Sequence, residues 1–94
     1  MENQVVLVTG ASSGIGARVC KVLSENGFTV VAAARRIDRL EQLCDDINGA
    51  GGKAVPLELD VADVEGFATK IDEAEAKAGQ LTCLVNNAGM SDEK

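Results

Sequence analysis

The stretch VVLVTGASSGIG, Val5 to Gly16, joins two unlike halves: a run of β-branched and apolar residues, then seven residues almost without side chains. A continuous apolar run of this kind reads as a strand buried on both faces rather than one with a wet side. The bare half carries Gly10, Gly14 and Gly16 in the spacing G-x-x-x-G-x-G. Ser12 and Ser13 offer hydroxyls there, and Ile15 is the only residue larger than serine. A helical pattern follows at once. A helix N-terminus presents unpaired N–H groups and about half a positive charge, so a phosphate docks there when no side chain intervenes. Strand, bare loop and helix in that order are the context a nucleotide loop requires. The other reading of the same glycines is a tight turn that only packs helix against strand. A P-loop is not indicated, because the G-K-[ST] ending is absent.

Outward from this stretch the chain alternates short apolar runs with longer amphipathic ones. After VVLVT, the runs FTVVAAA (Phe28–Ala34), KAVPLEL (Lys53–Leu59) and LTCLVN (Leu81–Asn86) read as three further strands. Between them, Ile15, Val19, Val22 and Leu23 fall on one face of a first helix. Ile37, Leu40, Leu43, Cys44 and Ile47 do so in a second, and Val64, Phe67, Ala68, Ile71, Ala74 and Ala78 in a third. Acids stand near two helix starts, Asp38 in the second and Asp63 and Glu65 in the third, where the helix dipole favours them. ENG, NGAGG and AGQ supply the glycine expected just past each helix end. Strands joined by helices pair in parallel with right-handed crossovers. The expected fold is therefore α/β and Rossmann-like, in three layers, with a parallel sheet of about four strands in the order 3-2-1-4. Pro56 cannot donate a ladder hydrogen bond, and that order puts its strand at an edge. Ligands of such sheets bind beyond the carboxyl ends of the strands at the switch point, here between strands one and four.

Ninety-four residues make one domain, residues 1–94, with a small core built from Val, Leu, Ile and Ala. The formal net charge of −6 repels polyanions, which disfavours nonspecific nucleic-acid binding; any bound anion must be met locally. Cys20, Cys44 and Cys83 are odd in number and lack C-x-x-C spacing, so they indicate neither a disulfide framework nor a zinc site. All three are expected to pack in the core of a protein of the reducing cytoplasm. MENQVVLVTG has no signal-peptide character, and no apolar run approaches the ~18 residues of a membrane span.

The second strand ends in AAARR, about 24 residues past Gly10, where an NAD site would place an acid for the ribose 2′-hydroxyl. Arg35 and Arg36 stand there instead, and guanidinium groups pair with a 2′-phosphate, so NADP is favoured over NAD. Solvation, or pairing with Asp38 or Glu41, is the alternative role for the arginines.

These motifs together resemble the N-terminal part of a short-chain dehydrogenase/reductase of the group with the T-G-x-x-x-G-x-G loop, matched at Thr9, Gly10, Gly14 and Gly16. The resemblance extends to LDV (Leu59–Val61) and NNAG (Asn86–Gly89) and covers essentially the whole chain. It implies NAD(P)-dependent oxidation or reduction of an alcohol/carbonyl pair. It also implies that Asp60 and Val61 contact the adenine, that Asn86 and Asn87 order the loop beside the cofactor ribose, and that Ala88 and Gly89 allow close backbone approach. On residue chemistry alone, Asp60 reads equally as a helix cap or a solvated acid, and NNAG as a strand-ending turn.

The family's reaction, by the same resemblance, uses a serine and a Tyr-x-x-x-Lys pair well beyond NNAG. This sequence holds no tyrosine and runs only five residues past Gly89. With no histidine either, neither a Ser-His nor a Cys-His nucleophile can be assembled. The acids at Asp45, Asp46 and Asp72 to Glu75 fall on solvated helix faces. The expectation is thus a truncated, cofactor-holding unit, inactive alone. A non-catalytic nucleotide-binding or interaction module is the alternative, and a structural oligomerisation unit with a vestigial loop a third reading. An uncovered fourth strand is expected to favour self-association.

Overall fold

The structure, a computed structural model, describes residues 4–11, 14–60 and 64–86. Strands β1 (Val5–Thr9), β2 (Thr29–Ala34), β3 (Lys53–Glu58) and β4 (Cys83–Asn86) alternate with helices α1 (Gly14–Glu25), α2 (Ile37–Gly49) and α3 (Val64–Ala78). All pairing is parallel and the sheet order is β3-β2-β1-β4, as strands separated by helical crossovers require. Pro56 lies on edge strand β3, where its missing N–H costs no ladder bond.

The pleat of the two central strands divides the core in two. Val6, Val8, Val30, Ala32 and Ala34 face α1 and α2, joining Cys20, Leu40, Leu43, Cys44 and Ile47. Val5, Leu7, Val31 and Ala33 point the other way, where Ala74, Phe67, Ile71 and Ala78 of α3 cover them. Successive side chains of a strand project to opposite faces, so β1 and β2 are buried throughout and need no polar alternation. The three-layer arrangement follows from that one stretch of sequence.

Each helix is stopped by its own chemistry. Gly27, Gly51 and Gly79 follow the three helices with φ of 92°, 97° and 105°, the left-handed region open to glycine. In the last turn of α2, Asn48 fixes the connection to β3: its Nδ2 donates to the Ala54 carbonyl at 3.1 Å and its Oδ1 accepts the Ala54 N–H at 2.9 Å. Ahead of β4, the Leu81 N–H donates to Glu75 Oε2 at 3.0 Å, and the Thr82 N–H to the Val5 carbonyl at 2.9 Å.

Three expectations are corrected. The buried edge of α1 is formed by Gly16 and Cys20, with Ala17, Val19 and Leu23 against the core, while Ile15 and Val22 are 59% and 50% exposed. The helix presents its smallest residues to the sheet so that it can approach closely, which rotates the apolar face away from Ile15 and Val22. Ala68 is exposed on α3. Cys20 and Cys44 are core residues, but Cys83 is exposed, because among the described residues β4 has a strand neighbour, β1, on one side only. The strands are also slightly shorter than read: Phe28, Leu59, Leu81 and Thr82 lie just outside them. Asp63 lies outside the described residues.

Candidate functional site

In a parallel sheet every strand ends on the same side, and backbone hydrogen bonds tie these ends together. The Ala11 N–H donates to the Ala33 carbonyl at 3.0 Å, drawing the loop after β1 against the end of β2. The Leu59 N–H donates to the Ala34 carbonyl at 2.9 Å, holding the exit of β3 beside it. On the other flank the buried Thr9 hydroxyl donates to the Val85 carbonyl at 3.5 Å, and Asn86 lies in register with Thr9. Gly10 and Ala11, Arg35 and Arg36, Asp60, and Asn86 therefore share one end of the sheet.

The glycines test what the loop is for. Gly10 has φ of 66°, a conformation that strains any residue with a Cβ, so it is required by the turn itself. Gly14 is different. It opens α1, it is exposed, and a Cβ built on it meets no described atom within 4 Å. Contrast Gly52, where a Cβ would stand 2.8 Å from Ile47 Cγ2 and 3.1 Å from Ser24 Cβ. Gly52 is bare because the protein fills the space; at Gly14 the described protein does not fill it. A helix N-terminus presents unpaired N–H groups, and no side chain projects from the first residue of α1, which suits an anionic group such as a pyrophosphate. Gly16, two residues into α1, is buried.

Arg35 and Arg36 are exposed and directly follow β2. Arg36 is the N-cap of α2, extended at φ −103° and ψ 101°, and makes no side-chain capping bond. Neither arginine forms an ion pair with a described residue, Asp38 and Glu41 included; the ion pair among the described residues is Lys70–Glu73, at 4.0 Å on the surface of α3. Both guanidinium groups face solvent beside the end of β2, chemically suited to a phosphate monoester. Asp60 is exposed at the end of β3 and is engaged in an interaction of its own. Ser12, Ser13, Val61, Asn87, Ala88 and Gly89 lie outside the described residues.

Ala11 was not singled out from sequence. It is fully buried, and its N–H anchors the glycine loop to β2. Its small size inside a loop next to a strand end was the available signal.

The thiols take no part in this end of the molecule. Burial, with the neighbouring Cys44 adding to it, pushes Cys20 from its ordinary 9.0 up to about 12. Burial and then Asp45 push Cys44 up to about 11. Both are inert core thiols. Among the described residues no helix is long and apolar enough to cross a membrane.

A parallel sheet ordered 3-2-1-4, with a glycine loop opening a helix at the carboxyl end of its first strand, defines a Rossmann-like nucleotide-binding unit. The family model described as short chain dehydrogenase matches residues 4–94, and the chain belongs to that family, whose members bind nicotinamide dinucleotides. It is 40% identical over 91 residues to a short chain dehydrogenase of Pseudocercospora fijiensis, covering 97% of this chain and 29% of that protein. It is 43% identical over 86 residues to a fatty acyl-CoA reductase of Mycobacterium tuberculosis, covering 92% and 29%. Among solved structures, a metagenomic short-chain oxidoreductase in complex with NADP superposes with a TM-score of 0.79 at 34% identity, over 86% of this chain and 37% of that one. The chain thus spans less than a third of the length of these curated relatives.

Proposed function

We propose that this chain is the NADP(H)-binding part of a short-chain oxidoreductase that transfers hydride between NADP and an alcohol or carbonyl substrate. The observation that carries the choice of cofactor is the exposed Arg35–Arg36 pair past β2, free of described carboxylate partners and on the same sheet end as the glycine loop. The solved relative that holds NADP supports the same reading. In the proposed complex, Gly10, Ser12, Ser13, Gly14, Ile15 and Gly16 would surround the pyrophosphate, and Arg35 and Arg36 would hold the 2′-phosphate. Asp60 and Val61 meet the adenine, and Asn86, Asn87, Ala88 and Gly89 flank the ribose beside β1. The bound nicotinamide supplies the hydride acceptor or donor. This chain's residues bind and orient the cofactor; none of its side chains is a tyrosine able to give or take the substrate proton, so turnover by the 94 residues alone is not expected.

The test is calorimetric titration of the folded chain with NADPH and NADH. Charge-assisted hydrogen bonds to a phosphate contribute roughly 1.5–3 kcal/mol when shielded and less at an exposed site, so NADPH is expected to bind about tenfold more tightly. Equal affinities would overturn the role of the arginines.

Two further parts of the proposal concern setting and association. Three free cysteines, two of them in the core, suit a reducing, cytoplasmic compartment. Strand β4 (CLVN) carries no charge or proline on its open edge, and Leu84 is 57% exposed, whereas edge strand β3 is guarded by Pro56 and by exposed Lys53 and Glu58. Unguarded edges pair with other chains, so self-association is expected at β4.

A further inference from the structure

We draw no further inference here: the strongest candidate, the apolar groove between α3 and β4 lined by Leu7, Phe67, Ile71, Leu81 and Leu84, carries nothing beyond the edge pairing already proposed, because nothing in the structure shows what covers it.

Discussion

Replacing Gly14 by alanine separates the two uses of a glycine loop. If Gly14 were bare in order to pack α1 on β1, a methyl group there would collide and the protein would lose stability. Outside the adjoining backbone of its own helix, no described atom lies within 4 Å of that methyl, and Gly14 is the first residue of α1. Alanine in a helix is favoured over glycine by roughly 0.5–1 kcal/mol, with the lower value appropriate to a terminal position. For a domain of this size about 0.5 kcal/mol raises the midpoint of thermal unfolding by roughly 2–4 °C. In the proposed complex the same methyl would crowd a pyrophosphate drawn to the backbone N–H groups of the first turn. Affinity for NADPH is expected to fall at least tenfold, a loss of about 1.4 kcal/mol. Gly52→Ala is the counterpart. There the methyl would lie 2.8 Å from Ile47 Cγ2, a group on a stiff, buried side chain, so a loss of roughly 1–3 kcal/mol is expected with NADPH affinity preserved. Thermal melts and calorimetry on the two variants measure both quantities. A Gly14→Ala protein that melts lower and binds NADPH normally would refute the cradle and restore the packing role.

Four other outcomes are expected. Arg35→Asp should shift preference from NADPH toward NADH in competitive titration, and an unchanged ratio would remove Arg35 from the site. Leu84→Lys should reduce self-association in sedimentation at high concentration with little effect on the melt, since Leu84 is already 57% exposed; unaltered association would place the contact elsewhere. Cys83 should react rapidly with a thiol reagent at neutral pH while Cys20 and Cys44 stay protected, so that Cys83→Ser abolishes the fast phase; three fast thiols would contradict the described core. Finally, Cys20 and Cys44 keep their protons in the folded state up to about pH 12 and 11, whereas the unfolded thiols release theirs near 9.0. Their stabilisation is intact below pH 9 and is lost as pH rises through the folded values. By pH 10 the loss is about 1.4 kcal/mol per thiol, visible as a melting temperature that falls above pH 9. A flat profile would contradict it.

The sheet could be read from sequence because each of its determinants is local. The unbroken apolar run Val5–Val8 admits only a strand covered on both faces, and the glycines after the helices mark the stops. Pro56 selects an edge for β3, and the parallel order then follows from the helical crossovers. Hydrophobic periodicity misjudges the face of α1 because it weighs large residues, and Ile15 and Val22 outweigh Gly16 and Cys20. The packing rewards the opposite property, closeness, which glycine and cysteine allow. Cys83 was placed in the core by its residue type, but its burial depends on what lies beyond β4, a tertiary fact. Within the candidate site, Gly10, Arg35 and Arg36 follow from spacing relative to the strands, whereas Asp60 rests on the family resemblance. The distinction between Gly14 and Gly52 follows from neither, because two identical residues differ only in whether protein atoms occupy the space where a Cβ would project.

Mapping backbone amide shifts while the labelled chain is titrated with NADP shows whether a nicotinamide dinucleotide lies across the carboxyl ends of the strands. Saturable shifts are expected at Gly10, Ala11, Gly14 to Gly16, Arg35, Arg36 and Asp60. The amides of Gly51 and Gly52, in the turn that enters β3 from the opposite end of the sheet, should stay in place. A folded sample without shifts at millimolar NADP, or with shifts confined to the Gly51–Gly52 end, would contradict that placement.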